Sequence, residues 1–314
     1  MERYRIGDIE IVLPDSEDVS KFSWIGSKDY LNDVMAAFYK AFEEDIPMTP
    51  KISGIPGIGK TTLVGAAAKE LGLDLYIMQV SADTRPEDLV ITPVLNRDRQ
   101  IIYIGSPLLA AVIKGGVVIL DEANRMPEKS WATLASLLDH RRSLYSNTLG
   151  IKFEAHPEFR IALTVNEDSS VFEIPDYIAS RIAPNIKIGF PSKEDELKIL
   201  KYHLPLLKDN IIKICVEFMQ QLHEYNLPYS VRDAINALRL LNKKLKGHES
   251  LNEIKELFYS SFSAVVGKPI DKVKQELENA KNSSSETEYI ENYDIDEDDD
   301  FLDFLNNFDS DDDV

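Results

Sequence analysis

Residues 53–62 read Ser53-Gly54-Ile55-Pro56-Gly57-Ile58-Gly59-Lys60-Thr61-Thr62 and fit the pattern G-x-x-x-x-G-K-[ST]. Glycines at this spacing let the backbone curl until several N–H groups converge on one anion. A lysine after the last glycine reaches the outer phosphates, and the next hydroxyl can hold Mg²⁺. The pattern needs a strand before it and a helix after it. Thr49 to Ser53 suits a short strand, and Thr61 to Leu71, rich in Ala and Leu, suits a helix. A Gly-Pro turn would account for the glycines but not for a Lys-Thr pair at a helix start. Gly54, Ile55, Pro56, Gly57, Ile58, Gly59, Lys60, Thr61 and Thr62 are therefore the candidate nucleotide cradle.

A second stretch runs Gly115-Gly116-Val117-Val118-Ile119-Leu120-Asp121-Glu122. Four consecutive apolar residues suit a strand buried on both faces of a parallel sheet. Its two carboxylates end up where ligands bind in such sheets. Phosphoryl transfer to water needs a neutralised phosphate tail, a metal and a positioned water. Asp121 is placed to hold Mg²⁺ together with Thr61, and Glu122 to polarise the attacking water. The next buried strand, Phe159 to Val165, ends in Asn166, whose neutral amide can orient water without competing for the metal. Arg181, in Ile178-Ala179-Ser180-Arg181-Ile182, and Arg232, at a helix start in Ser230-Val231-Arg232-Asp233, each read alone as surface ion pairs. Arg125 and Arg160 read as surface or structural residues.

The remaining elements follow from periodicity. Tyr4 to Leu13 reads as one short strand or an extended arm. Ser27 caps a helix over Asp29 to Glu44, with apolar Leu31, Val34, Met35, Phe38 and Phe42 at helical spacing. Leu73 to Val80 reads as a strand, and Pro86-Glu87-Asp88 as a helix start. Ile91–Ile104 and Arg142–Glu154 each place a polar turn between β-prone arms, predicting two hairpins. A short helix from Ser106-Pro107 to Lys114, a helix over Pro127 to Leu138 and a short strand at Ile186 to Ile188 complete an α/β segment. Beyond Ser192 the pattern is helical only, near 193–203, 209–225, 230–245, 251–264 and 268–281. The predicted organisation is an N-terminal arm (1–21), an α/β nucleotide-binding domain (22–190), a helical lid domain (191–281) and an acidic disordered tail (282–314).

Charge supports that division. The 314 residues carry a net charge of −19, but residues 282–314 hold fourteen Asp or Glu and no Lys or Arg, leaving −5 for the rest. The acidity belongs to the tail, and no basic nucleic-acid surface is evident. Within the tail, Phe301, Leu302, Phe304, Leu305 and Phe308 form an apolar island that suits either a solubilising terminus or a short amphipathic helix on a partner. Cys215 is the single cysteine, in an apolar run, and reads as a small core residue. No apolar run approaches a membrane span, and the N-terminus lacks a signal-peptide core, so a reducing cytoplasm is the expected location.

The order Gly54–Thr61, Gly116–Glu122, Thr164-Val165-Asn166, Ser180-Arg181 and Ser230–Arg232 resembles the AAA+ ATPases. More narrowly it resembles their MoxR-like, dynein-related branch. Asp121-Glu122-Ala123-Asn124-Arg125-Met126-Pro127 is similar to that branch's D-E-I-N-R-A-P, and Gly105-Ser106-Pro107-Leu108 before Gly115-Gly116 matches its G-P-L…G-G spacing. Both hairpins fall where the branch carries insertions. The likeness covers about residues 22 to 245 and implies a P-loop core with a parallel sheet, two hairpin insertions and a small all-α lid. It implies Asn166 as first sensor, Arg181 as an arginine finger for a neighbouring subunit and Arg232 as second sensor. Ile25 and Gly26 resemble the segment that packs on adenine. Ile182 stands where the family often has Phe, and Pro50 and Lys51 make the strand before the loop more polar than usual.

The resemblance implies ATP and Mg²⁺ as cofactors and a ring, usually a hexamer. It implies a chaperone-like ATPase acting on a protein substrate or adaptor, commonly with a partner bearing a von Willebrand factor A domain. Two other readings stay open. One is a GTP-using relative of the McrB-type motor subunits, against which stand the acidic chain and the lack of a visible DNA-reading domain. The other is a binding or assembly module gated by nucleotide without turnover, against which stand Lys60, Asp121, Glu122, Asn166 and Arg181 together.

Overall fold

The computed structural model describes residues 2–167, 173–245 and 250–291, with side chains of the last helix described through residue 283. The apolar island at 301–308 lies outside the described residues. The chain divides into two compact units. The first runs to Pro205 and takes in Ser230–Arg232; the second comprises Leu206–Tyr229 and the chain from Asp233 onward.

The first unit begins with β1 (Glu2–Ile6) and β2 (Ile9–Leu13), then α1 (Lys28–Phe38), β3 (Lys51–Gly54) and α2 (Lys60–Glu70). Next come β4 (Leu75–Gln79), β5 (Ile91–Leu95), β6 (Ile101–Gly105), α3 (Pro107–Lys114), β7 (Gly116–Asp121) and α4 (Glu128–Leu134). It closes with β8 (Ser143–Ser146), β9 (Ile151–Glu154), β10 (Phe159–Asn166), α5 (Asp176–Ala179), β11 (Asn185–Lys187) and α6 (Lys193–His203). Five strands form a parallel sheet in the order β11-β3-β10-β7-β4. The carboxyl ends of β3, β10 and β7 thus lie side by side, where open α/β sheets hold their ligands. Residues 116–120 of β7 and 159–164 of β10 are buried, which is why β7 reads as an unbroken apolar run, while β10 also buries Arg160 and Thr164. Val118, Leu120, Ile161 and Leu163 from these strands join Leu108, Leu109 and Trp131 in one core.

Both expected hairpins are present, β5 with β6 and β8 with β9. The first is not free-standing. Glu2 to Leu13 forms a hairpin of its own rather than one strand or a loose arm, because Gly7-Asp8 makes a two-residue turn with Gly7 at φ +57°. Its second strand pairs with β6, giving a four-stranded sheet β1-β2-β6-β5.

Three other expectations are corrected. No helix starts at Pro86: Val90 N and Ile91 N both donate to Glu87 O in one turn, and β5 begins at once. α1 ends at Phe38, not near Glu44, because Asp45 captures the backbone N–H of Ala41 and Met48 N–H returns to Ala37 O. α4 stops at Leu134 and continues only as turns.

The second unit holds α7 (Asp209–Glu224), most of α8 (Val231–Lys244), α9 (Leu251–Val266) and α10 (Ile270–Glu291). α10 runs ten residues past the boundary expected at 281. α6, expected among the lid helices, groups with the first unit. Phe218 meets Phe258 and Phe262 edge-on, with centroids 5.8 and 5.1 Å apart, and Cys215 is fully buried as expected. No described helix is long and apolar enough to cross a membrane.

Ile11 is fully buried in the core of the first unit. Ile11→Ala is therefore expected to cost about 2–5 kcal/mol in urea unfolding. An N-terminal hairpin that merely lay on the surface would give a change within about 0.5 kcal/mol.

Candidate functional site

The phosphate loop folds as its sequence demands. β3 ends at Gly54, residues 55–59 turn, and α2 opens on Lys60. Gly57 has φ +84°, and a Cβ there would stand 2.6 Å from Ser230 Oγ and 2.8 Å from Arg232 Cβ. Only glycine fits so close an approach in that conformation.

Pro56, Gly57, Gly59, Lys60, Thr61, Thr62, Asp121, Glu122, Asn166 and Arg232 line one pocket at the carboxyl edge of the parallel sheet. The sheet register explains the convergence, since Asn166 pairs directly with Gly54 across β10 and β3. Lys60 Nζ donates to Gly54 O (2.8 Å), Ile55 O (3.0 Å) and Asn166 Oδ1 (2.7 Å). Burial pulls its pKa below the usual lysine value, and the charge of Asp121 works against that fall. The Asn166 amide donates in turn to Glu122 Oε1 at 3.1 Å, and Glu122 Oε2 pairs with Arg125 Nε at 3.2 Å. Lys60, Asn166, Glu122 and Arg125 are thus linked in one polar chain.

Glu122 has φ +58°, left-handed for a residue with a side chain. Such a conformation costs on the order of 1–3 kcal/mol and is concentrated at functional sites. Asp121 receives hydrogen bonds on Oδ1 from Thr61 Oγ1 (3.1 Å) and from Thr164 Oγ1. A hydroxyl and a carboxylate beside a phosphate cradle suit Mg²⁺, which takes few protein oxygens and completes its shell with phosphates and water. Among the described residues no group of three or more His, Cys, Asp or Glu could hold a metal without such help.

Three contributors escaped the sequence reading of individual residues. Thr164, 1% exposed within β10, also accepts from Glu122 N at 3.1 Å, so it fixes both acids. Its signal was a hydroxyl inside an apolar strand. Asn124 Nδ2 donates to Asn166 O at 3.0 Å, and Arg125 sits on the Glu122 carboxylate rather than on an unrelated surface. Arg160 is structural, as one reading had it, donating to Phe38 O at 2.6 Å.

Arg181, Ile25 and Gly26 do not line the pocket. Arg181 donates to Tyr177 O and lies 3.9 Å from Asp139, whose carboxyl Arg141 holds down at about 2. Gly26 packs on Trp24, with 3.0 Å between the position of a Cβ and Cζ2.

Residues 52–182 match the model of the AAA domain, dynein-related subfamily. The chain is 25% identical over 210 residues to von Willebrand factor A domain-containing protein 8 of Mus musculus, covering 60% of this chain and 11% of that protein. It is 26% identical over 151 residues to Chaperone MoxR1 of Mycobacterium tuberculosis, covering 48% of this chain and 38% of that one. The chain thus spans well under half the length of these two relatives. A mutant of Thermotoga maritima RuvB shares the fold, with a TM-score of 0.50 and 14% identity over 80% of this chain and 73% of that one.

Thr164→Val removes one of two donors to Asp121 and leaves Glu122 N without this acceptor. It should lower the unfolding free energy by about 1–3 kcal/mol. Unaltered stability in chemical denaturation would contradict this account of Thr164.

Proposed function

With residues 52–182 belonging to the AAA domains of the dynein-related subfamily, we propose that this chain is a Mg²⁺-dependent ATPase that assembles into a ring and remodels a protein complex. The observation that carries the proposal is the hydrogen-bonded run from Lys60 through Asn166 to Glu122, beside Thr61 and Asp121. A pure nucleotide binder needs the lysine but has no use for a carboxylate held next to a sensing amide.

The geometry supports the following roles. The loop N–H groups and Lys60 grip the phosphates, and Lys60 exchanges its neutral oxygen partners for charged ones. Thr61 and Asp121 would hold Mg²⁺, which neutralises phosphate charge when bound. Glu122 accepts a proton from the attacking water, while the Asn166 amide, already bonded to that carboxylate, orients it. Arg232, which also lines the pocket, adds a cation.

Arg181 is not among the residues that line this pocket, as expected of a residue serving a neighbour's nucleotide. That placement supports the finger role and the ring, with six subunits as the form usual for such ATPases. Similarity to a protein named for its von Willebrand factor A domain supports a partner of that kind. Similarity to a chaperone supports a protein client.

Glu122→Gln should bind ATP with little change and lose turnover by at least about 100-fold. Phosphate release and a fluorescent-nucleotide titration measure the two. Turnover at the unaltered rate would remove Glu122 as the base.

A further inference from the structure

Residues 22–27 cross the helix that follows the phosphate loop, and three contacts tie them to it. The Phe22 ring lies over the backbone at Gly65, where a Cβ would stand 2.4 Å from Cδ1 and 2.5 Å from Cγ. Lys69 Nζ donates to Phe22 O at 3.3 Å. The Trp24 ring covers Gly59, with Cζ3 3.3 Å from the position of a Cβ. Gly65 sits mid-helix in α2, where alanine is the better helix former, so the ring above it accounts for the glycine.

The indole is itself held in place. Trp24 Nε1 donates to Ser27 O at 2.9 Å, and Ser27 Oγ caps α1 by accepting from Asp29 N. Tyr30 meets the indole edge-on with centroids 6.4 Å apart. Gly59 itself accepts on its carbonyl from Leu63 N at 2.9 Å. It occupies the N-cap of α2 at φ +104° and offers no side-chain hydrogen bond to the first turn. A glycine adopts that conformation without steric cost and can as readily leave it. Here it precedes Lys60 and Thr61.

We propose that Trp24 is a positioning residue for the phosphate loop: packed on Gly59, it holds the turn that aims Lys60, Thr61 and the first N–H groups of α2. This rests on the nucleotide-binding reading above. The indole supports the loop from outside the pocket, so its loss should weaken the grip on phosphate itself, whatever nucleoside is attached.

The test compares Mg-ATP with inorganic tripolyphosphate, titrated calorimetrically into the full chain. Trp24→Ala should weaken both ligands by about the same factor, roughly tenfold, because a preorganised loop is lost. Trp24→Phe should restore most of the affinity for both. Gly65→Ala should repeat the loss by displacing Phe22, and should lower Tm where an unobstructed helix would gain stability. It also serves if Trp24→Ala does not fold. A loss confined to ATP would mean a contact with the nucleoside and overturn the proposal. So would a lowered Tm with both dissociation constants unchanged, the mark of a structural role alone. If the unaltered chain bound neither ligand, the nucleotide reading would fall first and this proposal with it.

Discussion

A lysine ammonium that burial disfavours is held by three neutral oxygens at the edge of a parallel sheet, and the site is built around it. Lys60 Nζ takes Gly54 O, Ile55 O and Asn166 Oδ1 at 2.7 to 3.0 Å. Two of these oxygens come from residues that pair across adjacent strands, Gly54 and Asn166. Sheet register thus becomes site geometry: slipping β10 by one residue would carry Asn166 to the other face. The buried core strands β7 and β10 make such a slip costly.

In the proposed function that arrangement would link binding to chemistry. A phosphate entering the loop offers Lys60 charge-assisted bonds stronger than those to carbonyls. In the proposed ATPase, Asn166 would then lose one partner while keeping Glu122, and the change at the lysine would reach the carboxylate through one amide. Arg125 restrains the far oxygen of Glu122, and Thr164 anchors the backbone of the same residue. Left-handed φ at Glu122 is the local strain that this network tolerates and that aims the side chain.

Much of this was legible in the sequence, for physical reasons. Short, strongly apolar and β-branched runs suit central parallel strands, so β7 and β10 were placed correctly with the polar residues at their ends. The loop pattern admits one backbone geometry. What the sequence did not convey depended on partners far along the chain. The N-terminal residues were too short a pattern to show that Gly7-Asp8 folds them into a hairpin completed by β6. Phe42 has the right spacing for α1, yet Asp45 takes the Ala41 N–H and the helix stops at Phe38. The task of Thr164 depends on β7 lying beside β10, which brings the Asp121 carboxylate and the Glu122 N–H to its hydroxyl. Trp24 carried no motif at all; its role depends on two glycines, Gly59 and Gly65, that only the fold brings beneath Trp24 and Phe22.

In the proposed assembly one chain supplies the loop, metal ligands and base, while Arg181 completes the site of a neighbour. Mixing two separately inactive variants, Glu122→Gln and Arg181→Ala, tests it most directly. If the finger acts between subunits, some interfaces in mixed assemblies pair an intact Glu122 with an intact Arg181. ATP turnover should then exceed that of either variant alone and peak at intermediate ratios. Turnover that never rises above the weighted sum of the two variants, in a preparation where the unaltered chain is active and subunits exchange, would contradict the account.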